Sequence, residues 1–419
     1  MIKLIQHNQK LKELIHSASI SLKEKAIDLD TYDQVLRECM SINEMREAGS
    51  FFTGQALAKR TIELFPLPLT TKSIILDPTC GAGNLLIECS RQLEVKENLS
   101  DTLVMWGEIL RGYDLHQSFI DAAKLRLIIE ALSRGVKKDC SLEKAYSLLK
   151  YIYVKDALSI VPEDVSMITH VVLNPPFTIC ESPKINYWKT GKINSAGLFV
   201  DKLLRTLPER CALSFILPDV LRSGSRYDSF RAFLDFNILG EYKIWGRFNN
   251  KTDVDVFIIH GFVNQNNKGT GLWQSDLDQY IPLSQEFDVR IGPLVAYRDP
   301  EVGIEYPYFH AKNSVAWQMI IEASEFRKFN GTVIKPPFVI VKRTSSPNDK
   351  YRAQGTVINL KEHVAVENHM IVITPKSGSV DDCLKLLEIL KSHQTNEFLN
   401  QRIRLRHLTV SAIKEIPIK

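Results

Sequence analysis

The stretch of sequence that decides the fold reads Ile168-Thr169-His170-Val171-Val172-Leu173-Asn174-Pro175-Pro176-Phe177. The residues up to Leu173 form a mainly apolar, β-branched run, which is typical of a buried strand. Proline has no N–H to give to a sheet, so the strand is predicted to end before the two prolines. The asparagine therefore stands at the carboxyl end of a buried strand, in a loop that the prolines keep stiff.

Runs of the same kind recur along the chain, with helical patterns between them. Between about residues 49 and 262 this alternation predicts an α/β fold, a Rossmann-like parallel sheet with helices on both faces. The strands of this sheet are predicted at residues 73–77, 106–114, 151–156, 168–173, 213–218 and 254–262. The first four end at or beside a polar residue, and the carboxyl ends of such strands face one crevice.

Three segments are predicted along the chain. Residues 1–46 form an N-terminal helical segment, because apolar residues recur in them at helical spacing. Residues 47–271 form the α/β domain, and residues 272–419 form a C-terminal domain of mixed α/β structure. The boundary is placed after the polar, glycine-containing stretch 264–270.

The composition is that of an ordinary globular protein, with 44% apolar and 24% charged residues among 419. The seven cysteines are scattered and form no Cys-x-x-Cys pair, so neither disulfides nor a metal site is expected. The lack of a long apolar region predicts a cytoplasmic protein that does not bind membranes. Residues 301–419 hold 17 Lys/Arg against 12 Asp/Glu, which fits a phosphate-rich partner but also fits solvated lysines.

A glycine-containing turn follows the first strand and reads Asp77-Pro78-Thr79-Cys80-Gly81-Ala82-Gly83. Its glycines allow the backbone to pass close to a ligand at the start of the next helix. The turn lacks the third glycine of a dinucleotide site and the Gly-Lys-Ser/Thr of a P-loop, which argues against phosphate binding. Its carboxylate suits a cation such as the methionine moiety of S-adenosyl-L-methionine. A tight turn without a ligand is the alternative.

Two further carboxylates follow the second and third strands. Asp114 is placed to accept both ribose hydroxyls of a bound nucleoside. Asp156 is placed to accept a hydrogen bond from an adenine amine, with the backbone of Ala157 as a donor to the ring. For Asp114 the alternative is the N-cap of the next helix, which is the commoner role of a single acidic residue. Asp156, taken alone, is equally well explained without a ligand.

The loop that begins at Asn174 suits chemistry on an amine attached to an aromatic ring. Such an amine is a poor nucleophile, because its lone pair is delocalised into the ring. The side-chain oxygen of Asn174 and the main-chain carbonyl of Pro175 can accept hydrogen bonds from the amine and so localise the lone pair. Pro176 adds stiffness, and Phe177 offers a flat face for a flipped-out base. A proline-stiffened turn is the alternative.

These motifs resemble, in this order, those of the adenine-N6 DNA methyltransferases in which the cofactor region precedes the catalytic loop and a target-recognition domain follows. The resemblance covers roughly residues 49–262. It rests above all on Asp77-Pro78-x-Cys80-Gly81-x-Gly83 and on Asn174-Pro175-Pro176-Phe177. Gly49-Ser50-Phe51-Phe52-Thr53 resembles the family's first cofactor motif, although the usual Thr-Pro is Thr53-Gly54 in this chain.

The resemblance implies a catalytic domain at residues 47–271 that uses S-adenosyl-L-methionine, and a target-recognition domain at residues 272–419. It implies that Thr53 contacts the methionine carboxylate and that Phe248 packs the target adenine from the face opposite Phe177. The residues expected to bind the cofactor are Thr53, Asp77, Cys80, Gly81, Gly83, Asp114, Leu115, Asp156, Ala157 and Asn174.

The implied partner is double-stranded DNA, and a separately encoded restriction endonuclease is a further expected partner. Basic residues in the last third of the chain, together with one lysine before it, are expected to lie against DNA phosphates. These residues are Lys251, Lys342, Arg343, Arg402, Arg404 and Arg406. A solvated strand face is the alternative for each of them.

Other functions fit parts of the pattern. An Asn-Pro-Pro-aromatic loop also serves enzymes that methylate protein glutamine or guanine in ribosomal RNA. Cys80 and the large C-terminal domain favour DNA adenine over these substrates. An idle DNA-binding subunit is disfavoured by the intact catalytic loop, and a subunit that borrows its recognition from another protein is disfavoured by the chain's own C-terminal domain.

Overall fold

A computed structural model describes residues 2–17, 19–39, 53–188, 190–249, 252–265, 268–273 and 280–418. The chain divides into two compact units. The first consists of Met1–Leu221 and Tyr227–Trp273, and the second of Arg222–Arg226 and Gln274–Lys419. The N-terminal helices thus belong to the first unit, and the division falls two residues beyond the sequence-based boundary.

The elements of the chain up to Trp273 alternate as follows. The helices are α1 (Ile2–His16), α2 (Ile20–Ile27), α3 (Leu29–Cys39), α4 (Gln55–Glu63), α5 (Asn84–Arg91), α6 (Leu99–Ile109), α7 (Gln117–Ser133), α8 (Leu142–Leu148), α9 (Pro162–Val165), α10 (Ala196–Thr206), α11 (Asp219–Ser223) and α12 (Asp228–Asn237). The strands are β1 (Ile75–Asp77), β2 (Leu110–Asp114), β3 (Ile152–Val154), β4 (His170–Leu173), β5 (Ile179–Glu181), β6 (Lys192–Asn194), β7 (Ala212–Pro218), β8 (Ile238–Asn249) and β9 (Thr252–Val263).

The central sheet has the strand order β3-β2-β1-β4-β7-β9-β8. Strands β3, β2, β1, β4 and β7 are parallel, so the α/β prediction is confirmed for the centre of the sheet. Strands β1, β4 and β7 are buried along their whole length, which explains their nearly continuous apolar sequences. The sheet therefore supplies a rigid base for the loops at its carboxyl edge.

The far side of the sheet differs from the purely parallel prediction. Strand β9 runs antiparallel to β7, and β8 pairs antiparallel with β9 along twelve residues. The sequence did not predict β8, because it lies at the sheet edge and is only partly buried. Charged residues such as Glu241, Lys243 and Arg247 alternate with its apolar ones, so the run lacks the signal of a buried strand.

The interval between the first two strands is longer than usual and contains two helices, α5 and α6. The second strand was predicted to begin at Trp106. Residues 106–109 instead complete α6, so the strand begins at Leu110. Helix α6 packs closely on α8, since a side chain at Gly107 would lie 2.0 Å from the carbonyl oxygen of Leu148. The extra helix leaves Asp114 at the end of its strand.

The chain crosses over at β1. It runs outward from β1 to β2 and β3, and then returns to form β4 on the other side of β1. In open α/β sheets, ligands bind beyond the carboxyl ends of the strands where the order reverses. Asp77 ends β1, Asp114 ends β2 and Asn174 follows β4, so these residues meet at that point.

The second unit is built around its own sheets. Its strands are β10 (Phe287–Ile291), β11 (Ile304–Phe309), β12 (Met319–Ile320), β13 (Phe326–Phe329), β14 (Phe338–Lys342), β15 (Gly355–Ile358), β16 (Ala365–Val366) and β17 (Met370–Pro375), and its helices are α13 (Val380–Lys391), α14 (His393–Arg402) and α15 (Val410–Lys414). One sheet has the order β10-β17-β14-β15-β12 and another the order β13-β11-β16. Helix α13 packs on β14 and β15, which confirms a C-terminal domain of mixed α/β structure.

Arg352 holds the irregular segments of the second unit together. Its side chain is buried, and Nε donates to Ser345 Oγ at 2.8 Å. Its Nη1 donates to Asn400 Oδ1 at 2.7 Å and to the Ile403 carbonyl at 3.0 Å, and its Nη2 donates to the Leu405 carbonyl at 3.0 Å. One guanidinium thus joins residues 345 and 400–405.

Replacement of Arg352 by methionine is expected to destabilise this unit by about 3 kcal/mol, because several buried acceptors lose a charged donor at once. The measurement is urea denaturation followed by circular dichroism. The control is Arg298→Met, which removes a solvent-exposed pair with Asp299 and should change the stability little. Equal losses from the two substitutions would contradict the role assigned to Arg352.

Candidate active site

A cavity opens at the carboxyl edge of the central sheet. It is lined by residues that follow β1, β2, β3 and β4 and by the segment before α4. The sequence-predicted residues that line it are Thr53, Asp77, Cys80, Gly81, Asp114, Leu115, Asp156, Ala157, Asn174 and Pro176. The structure therefore brings together side chains from five separate segments of the chain.

Asp77 is the most buried carboxylate of the cavity, with 1% of its surface exposed. Its Oδ1 accepts a hydrogen bond from the Thr79 amide at 3.1 Å. Burial, with a smaller contribution from nearby Asp114, raises the pKa of Asp77 to about 8. A buried carboxylate of this kind favours a positively charged ligand, which would stabilise its ionised form.

Asp114 both shapes the turns around it and lines the cavity. Its Oδ2 accepts from the Gly81 amide at 3.2 Å, and its Oδ1 accepts from the His116 amide at 2.8 Å. Burial raises its pKa although these hydrogen bonds oppose the shift. The capping alternative therefore describes one part of its role. The neighbouring Leu115 is 62% exposed and lines the cavity, where it offers an apolar surface.

The two glycines of the turn differ in their surroundings. Gly81 has a φ of 51° and lines the cavity. Gly83 has a φ of 86° and lies outside the lining, where a Cβ would stand 3.0 Å from the Cβ of Ala123. Only glycine combines this backbone with such close packing, so Gly83 positions α5 against α7.

Cys80 packs behind the same turn. Its sulfur would stand 3.0 Å from a Cβ at Gly112 on β2, so the thiol fills the space that this glycine leaves. Burial, reinforced by Asp77, raises the pKa of the Cys80 thiol. A neutral, buried thiol is suited to packing and not to nucleophilic attack.

Asp156 caps the helical turn that follows it. Its Oδ1 accepts from the Leu158 amide at 2.9 Å, at the start of the helical turn Ala157–Ser159. Asp156 and Ala157 nevertheless line the cavity, and Lys155 between β3 and this turn lines it too. Lys155 is ion-paired with Asp164 at 2.6 Å. The position of Asp156 remains compatible with a contact to an adenine.

Asn174 is held on two sides. Its Nδ2 donates to Thr53 Oγ1 at 2.9 Å, and its carbonyl oxygen accepts from Thr79 Oγ1 at 3.2 Å. The first bond orients the side-chain amide, and the second ties the main chain to the glycine turn. Thr53 is itself buried, so the predicted cofactor threonine and the predicted catalytic asparagine are direct neighbours.

The rest of the loop is fixed through its carbonyl oxygens. Pro176 O accepts from Ser195 Oγ at 2.7 Å, and Phe177 O accepts from Asn194 Nδ2 at 3.2 Å. Among the residues that the structure describes, none donates to the carbonyl of Pro175. That carbonyl is thus left as an acceptor for a ligand, while its neighbours are occupied.

Phe177 and Phe248 touch each other. Their ring centroids are 5.8 Å apart, the planes meet at 81°, and both side chains are buried. A base stacked between two rings needs them parallel and about 7 Å apart, since stacked carbons pack at roughly 3.5 Å. The arrangement predicted for a target base therefore requires these two rings to separate and turn.

Several residues of the site carried no signal in the sequence. Asn194 and Ser195, at the end of β6, bind the loop at residues 174–177, and His116 and Thr178 line the cavity. Each is a single polar residue without a motif around it. Only the tertiary structure shows that these four residues belong to the site.

The two basic runs of the second unit lie side by side. Ser345 N donates to Arg406 O, and Leu408 N donates to Arg343 O, each at 2.8 Å. We call residues 342–345 and 404–407 the basic strip. Arg402 lies beside it but pairs with Glu415, to which its Nη2 donates at 3.0 Å. Lys251 and the stretch from Gly49 to Phe52 lie outside the described residues.

The described residues contain no cluster of His, Cys, Asp or Glu arranged to hold a metal ion. In the same parts of the chain, no helix has the length and apolar character needed to cross a membrane.

The family model for N-6 DNA methylases matches residues 25–216. The match confirms, over that range, the resemblance drawn from the glycine turn and the catalytic loop. No curated protein is detectably similar to this chain.

Two solved structures are similar to this chain at low sequence identity. The type IIL restriction-modification enzyme MmeI, solved in complex with DNA, is 11% identical with a TM-score of 0.52, over 93% of this chain and 70% of that one. The type IIG restriction endonuclease BpuSI is 14% identical with a TM-score of 0.46, over 93% of this chain. The chain spans 61% of the length of BpuSI.

Replacement of Asp77 by asparagine is expected to stabilise the ligand-free protein, increasingly so at higher pH. Folded Asp77 keeps its proton up to about pH 8, while an unfolded aspartate loses it near pH 4. The unfolded state binds fewer protons in that window, so the stability of the wild type falls as the pH rises from about 4 to 8. Asparagine cannot ionise, so the gain in melting temperature should grow across the window.

The measurement is differential scanning fluorimetry at several pH values without ligand. Asp288→Asn, at an exposed position on β10, is the control and should show no such trend. A gain for Asp77→Asn that is the same at every pH would contradict the burial argument.

Proposed function

We propose that this protein is a site-specific DNA methyltransferase that transfers a methyl group from S-adenosyl-L-methionine to N6 of adenine in double-stranded DNA. The match of residues 25–216 to the N-6 DNA methylases supports this assignment. The observation that carries it is the loop at residues 174–177, in which the carbonyl of Pro175 is left open beside an oriented Asn174 amide.

The polar and apolar groups that line the cavity match the parts of the proposed cofactor. Buried Asp77 suits a sulfonium or ammonium group, and Asp114 suits ribose hydroxyls. Exposed Leu115 offers an apolar surface for the adenine, with Asp156 near its amine and Thr53 near the methionine carboxylate. Cofactor bound there would supply an electrophilic methyl group.

The loop explains how the target nitrogen becomes reactive. Asn174 and the Pro175 carbonyl accept hydrogen bonds from the adenine amine and so concentrate its lone pair on nitrogen. Because Thr53 binds the nitrogen end of the Asn174 amide, the oxygen end is the one turned away from Thr53. The nitrogen gains a methyl group and loses one proton, which leaves to solvent after the transfer. The target base enters by flipping out of the duplex, and Phe177 and Phe248 stack on it once their contact opens.

DNA binding is assigned to the second unit. The basic strip places Lys342, Arg343, Arg404 and Arg406 on adjacent segments, which suits a phosphate backbone. MmeI, whose fold is similar, is a restriction-modification enzyme solved with DNA. We therefore assign the chain to the modification side of a restriction-modification system in the cytoplasm, with a separate restriction endonuclease as a partner.

The decisive experiment is methyl transfer from radiolabelled S-adenosyl-L-methionine to unmethylated genomic DNA, with RNA and bulk protein as parallel substrates and nucleoside analysis of the product. Label in N6-methyladenine of DNA is expected. Label confined to RNA or to protein glutamine would overturn the assigned substrate while keeping the cofactor and the catalytic loop.

Asn174→Ala and Asp114→Ala are expected to separate catalysis from cofactor binding. The first should lower kcat by about 100-fold or more, since it removes an acceptor that acts on the reacting amine. The second should weaken the affinity for S-adenosylhomocysteine by about 10-fold, because it removes a carboxylate from the cofactor cavity. Isothermal titration and single-turnover rates measure the two effects. A loss of cofactor affinity in Asn174→Ala as large as that in Asp114→Ala, with kcat unchanged, would assign Asn174 to cofactor binding and not to catalysis.

Lys342→Gln and Arg406→Gln are expected to weaken DNA binding equally on all sequences. Each should lower the slope of log K against log salt concentration by about 1, the value for one lost phosphate contact. Lys385→Gln is the control, because Lys385 is an exposed lysine on α13 outside the residues expected to contact DNA, and it should leave the slope unchanged. Fluorescence anisotropy with labelled duplexes at several salt concentrations provides the slopes. An unchanged slope in both test variants would remove the basic strip from the DNA interface.

A further inference from the structure

A buried arginine that belongs to none of the motifs binds the glycine turn on the side away from the cavity. Arg126 lies on α7, and its side chain is fully buried. Its Nη1 donates to the Ala82 carbonyl at 2.7 Å and to Asn84 Oδ1 at 2.6 Å. Its Nε donates to the Ala26 carbonyl at 2.9 Å, near the end of α2, and the guanidinium lies 3.6 Å from the ring centroid of Tyr32 on α3. Arg126 thus joins the glycine turn to the N-terminal helices.

Asn84 transmits this constraint to Thr53. Arginine has donors only, so Asn84 presents its amide oxygen to Arg126 and its amide nitrogen to Thr53. Asn84 Nδ2 donates to the Thr53 carbonyl at 2.8 Å, and Thr53 Oγ1 accepts from Asn174 Nδ2 at 2.9 Å. Three successive hydrogen bonds therefore connect Arg126 with the catalytic amide.

The N-terminal helices hold the same segment from a second side. Asp30 Oδ1, on α3, accepts from the Gln55 amide at 3.0 Å, at the first residue of α4. A Cβ at Gly54 would stand 2.5 Å from that carboxylate oxygen, so the glycine leaves room for Asp30 to bind Gln55. Thr53 directly precedes this contact, so its position depends on α3 as well as on Arg126.

We propose that Arg126 is a positioning residue that sets the Asn174 amide through Asn84 and Thr53, and that the N-terminal helices are through it part of the active-site framework. Arg126 lines no part of the cavity and does not touch the reacting atoms. Its effect is on where Thr53 stands, and hence on where the Asn174 oxygen points. The kinetic part of the test rests on the proposed function, and the spectroscopic part does not.

The first test compares Arg126→Lys with Arg91→Lys. Arg91 also binds the end of α2, with Nη2 donating to the Ile27 carbonyl at 3.0 Å, and its Nη1 donates to Gln55 Oε1 at 2.6 Å, but it donates to neither Asn84 nor Thr53. Arg126→Lys should lower kcat per cofactor-binding site by about 10- to 100-fold, the order expected when a displaced group misplaces a reacting one. Arg91→Lys should leave kcat per site unchanged, although each of the two variants alters a hydrogen bond to a carbonyl of α2. Equal losses of kcat in the two variants would mean that Arg126 only attaches the N-terminal helices, and they would overturn the proposal.

A double-mutant cycle tests the route of the effect. Thr53→Val removes the acceptor for Asn174 Nδ2, while Thr53→Ser keeps it and should retain most of the activity. Once Thr53→Val has broken the chain, adding Arg126→Lys should change kcat by less than about twofold. If the fold-reductions in kcat of the two single variants multiply in the double variant, Arg126 acts by another route. Asn84→Asp, which keeps a partner for Arg126 but removes the donor to Thr53, serves the same cycle if Arg126→Lys does not fold.

The last measurement is the NMR spectrum of side-chain amides in ¹⁵N-labelled, deuterated protein, with the Asn174 signals identified by their loss in Asn174→Ala. These signals should shift in Arg126→Lys or Asn84→Asp and stay in place in Arg91→Lys. Unmoved signals in both test variants overturn the proposal. A wild-type protein that methylates no substrate refutes the proposed function, and the amide signals still decide the role of Arg126.

Discussion

The hydrogen bond from Asn174 Nδ2 to Thr53 Oγ1 is the contact on which the site depends. It joins residues 121 positions apart, one after a buried strand and one before a helix. An amide has a donor end and an acceptor end, so engaging the nitrogen decides which way the oxygen is turned. A second bond, from Thr79 Oγ1 to the Asn174 carbonyl, ties the same residue to the glycine turn. The segments that line the cavity therefore also hold the asparagine to which catalysis is assigned.

The carboxylates buried in the cavity lower the stability of the folded protein. Asp77 is buried beside Asp114, and burial raises the pKa of both carboxylates. Apolar residues at these positions would serve the sheet better, because desolvating a carboxylate is unfavourable unless a partner compensates it. A cationic ligand is such a partner, so the arrangement has a physical purpose only when the cavity is filled. Unfavourable burial of this kind is expected at functional sites, where stability is lost for the sake of function.

The sequence could predict the parts of the site that are local. Asp77, Asp114 and Asn174 each stand at the end of an apolar run, so their shared location follows from the rule for parallel strands. Strand β8 was missed because an edge strand buries one face only. The contact between Phe177 and Phe248 was missed because two aromatic residues 71 positions apart show no pattern that sets the angle between their rings.

Buried arginines are the hardest part to foresee, because arginine is usually exposed and a single one has no periodicity. Arg126 and Arg352 solve the same problem in the two units. Segments outside regular structure leave carbonyls without partners, and one guanidinium can satisfy several of them from a fixed plane. The loop at residues 174–177 needs help of this kind, since its two prolines bring no N–H groups. Its order comes from side chains that bind its carbonyls, which allows the Pro175 carbonyl to stay open in a rigid loop.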